Sequence, residues 1–122
     1  MNAVQSALAN DMSEKALLAH VRNAAKKLGW LCYHTHRSDR SEAGFPDLVL
    51  IRNGRIIFME LKVEDLKKGK IKDDQQRWID ALLEVCGKNH QIFVMVCRPS
   101  NWLSGFIEQL LTPAAGAARG GA

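Results

Sequence analysis

Two apolar runs, Leu48-Val49-Leu50-Ile51 and Ile56-Ile57-Phe58-Met59, flank Asn53-Gly54, and this stretch constrains the fold more than any other. A type I′ hairpin turn needs positive φ at both central residues, which Asn-Gly supplies at least cost. With Asn53-Gly54 as the loop, Arg52 pairs with Arg55 and the register follows down both strands. On that register Asp47 lies opposite Glu60, and residues paired in this way stand roughly 5 Å apart at Cβ. Lys62 shares the face of Glu60, because side chains alternate along a strand. Turn chemistry alone therefore predicts two carboxylates and an amine side by side.

Leu48, Leu50, Ile57, Met59 and Leu61 point to one side of this hairpin, and Val49, Ile51, Ile56 and Phe58 to the other. Both faces are apolar, which predicts a central hairpin covered by helices on each side. Ionised acids in such a place are costly unless a cation offsets them, and two carboxylates this close can share one divalent ion. The bland readings are a structural ion pair of Asp47 or Glu60 with Lys62, or Asp47 as a turn cap after Gly44-Phe45-Pro46. Each is the commoner outcome for a residue taken singly. The combination favours the metal site.

The 122 residues suit a single domain with one core, expected over 11–111 with flexible ends at 1–10 and 112–122. No apolar run approaches the ~18 residues of a membrane span, and no basic region followed by an apolar core marks a secretory signal. Cys32, Cys86 and Cys97 are odd in number and lack CxxC spacing. They read as reduced core residues of a cytosolic protein, neither a disulfide framework nor a zinc site. A net charge of +4 is compatible with a polyanionic partner without demanding one.

Residues 1–10 show no strong pattern and are expected to fray unless they pack on another subunit. A helix is predicted from Asp11 or Ser13, with Leu17, Leu18, Val21, Ala25 and Leu28 as its buried stripe and Gly29 as its stop. Glu14 lies on that stripe, as the partner of Asp11 in a capping box or as a site ligand; the pattern alone favours the cap. Residues 30–37 read as a strand, on which His34 and His36 share a face. Two ordinary histidines on an edge strand are the preferred reading over a metal pair. The loop that follows carries Arg37 and Arg40 toward Gly44, as a grip for a phosphodiester or as a solvated connection. After the hairpin, Lys67, Lys68, Lys70 and Lys72 surround Gly69, and a loop contacting a nucleic-acid backbone is the slightly better reading.

The next helix is predicted over 73–86, with a capping box between Asp73 and Gln76 and a stripe through Trp78, Ile79, Leu82, Leu83 and Cys86. Gln75 extends the stripe and is either a half-buried helix residue or a group reaching back to Lys62 or a water. Residues 91–97 form an apolar strand expected inside the sheet, parallel to a neighbour after the helical crossover. A last short helix, capped by Ser100 or Asn101, should run to Leu111 with Trp102, Leu103, Phe106 and Leu110 inward.

The order α-β-β-β-α-β, with Pro46-Asp47 followed by Glu60-Leu61-Lys62, resembles the PD-(D/E)XK nuclease superfamily. Within it, Gly44–Leu48 (G-x-P-D-L) and Gln75–Trp78 (Q-x-x-W) are similar to the virus-type replication-repair nuclease (VRR-Nuc) domain. The resemblance covers Ser13 to Cys97. It implies an α/β restriction-endonuclease-like core, with a mixed central sheet flanked by helices on both faces and a short C-terminal helix. It implies Asp47, Glu60 and the carbonyl of Leu61 as ligands of Mg²⁺ or Mn²⁺, and Lys62 as the group that orients or activates water. Gln75 would help position Lys62, and Glu14 matches an acid of the first helix that completes the site, which raises that role above the cap. Small stand-alone members resemble Holliday-junction resolvases and act as homodimers. The implied activity is a metal-dependent, structure-selective DNA endonuclease acting on four-way junctions, in the cytosol of a bacterium or a phage-infected host. The alternatives are a flap or restriction-like nuclease, or a non-catalytic DNA-binding module.

Overall fold

The computed structural model describes residues 1–36 and 41–113. Its elements run α1 (Ala3–Asp11), α2 (Glu14–Lys27), β1 (Leu31–His34), β2 (Leu48–Arg52), β3 (Arg55–Leu61), α3 (Asp73–Cys86), β4 (Ile92–Cys97), α4 (Pro99–Leu103) and α5 (Phe106–Leu111). From α2 to β4 this is the expected α-β-β-β-α-β order. Asn53 at φ 49° and Gly54 at φ 75° make the turn, and the ladder runs from Arg52↔Arg55 to Leu48↔Met59 on the register the turn dictates. The protein is α/β, with a mixed sheet of order β1-β2-β3-β4 in which β4 alone pairs in parallel.

Leu48, Leu50, Ile57, Met59 and Leu61 meet Leu17, Val21 and Ala25 of α2 and Ile107 and Leu111 of α5 in one core. Trp30 closes its end by donating its indole N–H to the Leu111 carbonyl at 2.8 Å. The opposite face is covered by α3 and by Phe45, whose ring meets Trp78 and Phe58 edge to face. That cover does not reach β1 and the end of β2, where Leu31, Tyr33 and Ile51 stay exposed. No helix among the described residues is long and apolar enough to cross a membrane.

Several expectations are corrected. Residues 1–10 were expected to fray, but Ala3–Asp11 form α1, held by reciprocal hydrogen bonds between Asn2 and Gln5 and by contact with α4. Its small buried residue is Ala9, so the helix packs without the wide apolar stripe that would have announced it. Ser13 caps α2 through the N–H of Ala16, and the Asp11–Glu14 box does not form because Asp11 ends the preceding helix. Strand β4 is apolar yet lies at the sheet's edge; α3 packs against it, so its side chains are half-buried without a second strand neighbour. The final helix is broken at Gly105, which sits at φ 82°. The break resets the helical phase, so Ile107 and Leu111 turn inward and Phe106 outward.

Candidate active site

Pro46-Asp47 is held from two sides. On the β1 side Thr35 donates its hydroxyl to the Pro46 carbonyl at 2.7 Å and its N–H to the Asp47 carbonyl at 2.8 Å. On the α3 side Trp78 donates its indole N–H to the Ala43 carbonyl at 3.2 Å. Gly44 lies between them at φ +90°, where an added Cβ would come within 2.5 Å of the Asp74 carbonyl. Glycine is required there both for the backbone angle and for the close approach of the α3 N-terminus.

One step past the last ladder pair, the Asp47 carboxylate accepts the Leu61 N–H at 2.8 Å through Oδ2. Glu60 lies beside it, 2% exposed, and its Oε1 is buried without a hydrogen-bond partner. Burial, a hydrogen bond with Asp47 and the like charge of Asp47 push the Glu60 carboxyl up to about 9, with Lys62 pulling against them and Glu14 adding to them. Burial beside Asp47 thus favours the protonated form of Glu60, a preference that a bound cation would oppose. Lys62, 6% exposed, is tied to the sheet through its N–H to the Cys97 carbonyl.

These groups line a cavity of about 610 Å³ together with Glu14 and Gln75. Lys68, Lys70 and Lys72 border the same space. The structure thus brings together Asp47, Glu60, Lys62, Glu14 and Gln75, with Leu61 fixed by its bond to Asp47. Gln75 has a second duty that the sequence assigned to Gln76. Its Oε1 accepts the Lys72 N–H at 2.9 Å and caps α3, whereas Gln76 reaches along the helix to Asp80. Lys67 does not border the cavity; its N–H and that of Lys68 bond to Asp65, holding that carboxyl below its usual range. Arg37 and Arg40 lie outside the described residues. Among the described residues no three His, Cys, Asp or Glu side chains converge as a metal cluster. Two carboxylates completed by carbonyl, water and phosphate oxygens are a usual arrangement for Mg²⁺.

A family model of the VRR-NUC domain matches residues 3–101. The chain belongs to the VRR-NUC family. No curated protein and no solved structure matches the chain. VRR-NUC is a nuclease family, and the two short segments that suggested it are in contact here: Gly44 lies against the start of α3, and Trp78 of α3 against Phe45 and Ala43. Three further residues of this VRR-NUC chain stand at the site. Thr35 continues the β1–β2 register opposite Asp47, a signal already present in the strand pairing. His34 and His36, expected as ordinary strand histidines, both border the space beside Asp47. Their shared face was the available signal; that α2 leaves an opening in front of it was not legible.

Proposed function

We propose that this VRR-NUC protein is an Mg²⁺- or Mn²⁺-dependent endonuclease that hydrolyses phosphodiesters in branched DNA, four-way junctions foremost. The observation that carries the reading is Glu60: a buried carboxyl, one oxygen unpartnered, pressed against a second acid with a lysine beside it. A structural ion pair would leave no orphaned oxygen, and two acids kept together at this cost fit a cation. Asp47, Glu60 and the Leu61 carbonyl would hold the ion, which supplies a Lewis acid for the phosphate and a more acidic water. Lys62 would orient the attacking water and screen charge gathering on the phosphate oxygens. Gln75 keeps Lys72 and the end of the lysine loop in place and borders the cavity. Lys68, Lys70 and Lys72 supply non-specific attraction to the DNA backbone. A junction with two-fold symmetry is cut on paired strands by two sites, which a homodimer would provide.

The test is one gel series with labelled four-way junctions, flaps and linear duplex, each with Mg²⁺, Mn²⁺ or EDTA. Metal-dependent nicking strongest on the junction is expected. Stronger cutting of flaps or of duplex at one sequence would reassign the substrate. No cleavage of any substrate, or full activity in Asp47→Asn and Lys62→Ala, would end the nuclease reading.

A further inference from the structure

On the α2 side of Asp47 a second cavity, of about 420 Å³, opens between α2 and β1. It shares Glu14, His36 and Asp47 with the larger lysine-lined space, so the two meet at the acids. Its polar wall carries Lys15, His34 and His36 beside the acids Glu14 and Asp47, and Leu18 gives an apolar edge above the buried Leu61. The His34 and His36 rings stand 6.1 Å apart, tilted by 31°, and both line this one space. His34 pairs with Leu48 in the sheet, one residue from Asp47, so its place relative to the acids is set by the ladder rather than by a loop. No third His, Cys, Asp or Glu joins the pair in a metal-holding group among the described residues. Nitrogen donors and a cation without a metal cluster suit an oxyanion.

We propose that Lys15, His34 and His36 form a phosphate subsite that holds the DNA strand on the far side of the cut from the lysine loop. The strand would then cross Asp47 and Glu60 with one phosphate gripped on each side, the lysines of the 64–74 loop on one and this trio on the other. The half-buried Leu18 gives the sugar between them an apolar surface. Phosphate contacts on both sides of the cut set the register and affinity of the bound strand, which a single basic loop does less well. This rests on the nuclease reading for its substrate, and it makes the histidines binding residues rather than catalytic ones.

The experiment measures binding of a synthetic four-way junction in EDTA, where no cleavage confuses the readout, for wild type, Lys15→Ala and the double variant His34→Gln/His36→Gln. Circular dichroism melts confirm that each variant is folded. Each should raise Kd by roughly 3–10-fold, and Lys15→Ala should reduce the slope of log K against log salt by about one. In Mg²⁺, KM should rise while kcat stays within about twofold. If the folded double variant binds as wild type and cleaves with unchanged KM, the subsite is refuted. A wild type that binds junctions through this trio but cuts none would refute the nuclease reading and leave the subsite standing.

Discussion

The Asp47 carboxylate accepts the backbone N–H of Leu61 at 2.8 Å, so the first acid of the site also closes the mouth of the hairpin that carries the second. Structure and chemistry are coupled at this residue, and the two can be separated by substitution. Asp47→Asn retains an oxygen acceptor for Leu61 and should shift Tm by only a few degrees. It removes the charge, and cleavage should fall by more than ~100-fold, beyond the effect usual for a residue that merely supports a metal ligand. Asp47→Ala should lose activity equally and also melt lower, because the Leu61 N–H is left without its partner. Tm and initial cleavage rates on the two variants check both statements.

Glu60 gives a pH dependence of unusual sign. Its carboxyl is raised in the folded protein to about 9 from 4.5. A raised folded value means stability that is fully present below the unfolded value and is lost as pH climbs toward the folded one. Bound metal reverses the preference, since it requires the carboxylate. The increase in Tm on adding Mn²⁺ or Mg²⁺ should therefore grow from pH 6 to pH 9, with proton release on binding. Glu60→Gln should abolish the metal-induced shift and melt no lower than wild type in EDTA at pH 8. A metal-induced shift that shrinks with rising pH would contradict this account.

Gly44→Ala should destabilise the protein by about 1–3 kcal/mol, because alanine strains at positive φ and its methyl meets the α3 backbone. The loss also moves Pro46-Asp47, so activity should decline in the surviving folded fraction. Denaturant melts and specific activity corrected for folded protein measure the two effects.

Gln75 separates capping from positioning. Gln75→Ala removes the acceptor for the Lys72 N–H and should cost about 1 kcal/mol. Gln75→Glu keeps that acceptor and should hold Tm, while its lost amide N–H and added negative charge beside Glu60 should lower kcat. Equal kcat in Gln75→Glu and wild type would confine Gln75 to the cap.

Among the loop lysines, Lys68, Lys70 and Lys72 border the cavity and Lys67 does not. Alanine at any of the first three should weaken DNA binding and reduce its salt dependence, whereas Lys67→Ala should bind within about twofold of wild type. Fluorescence anisotropy across a salt series distinguishes them.

The hairpin, its register, the convergence of Asp47, Glu60 and Lys62, and the bounds of α3 were legible because each depends on a few adjacent residues. Asn53-Gly54 encodes a turn whatever surrounds it, and alternation then carries every side chain to a known face. What lay beyond the sequence was decided by partners distant along the chain. Helix α1 exists because α4 offers it a surface, β4 is an edge because nothing in the described fold adds a further strand, and Phe106 faces outward because Gly105 shifts the helical phase. The choice of Gln75 over Gln76 as the cap followed from where Lys72 enters the helix. His34 and His36 gained a place beside the acids only when α2 was laid across the sheet. Periodicity names the face on which a side chain stands, and packing alone decides what that face meets.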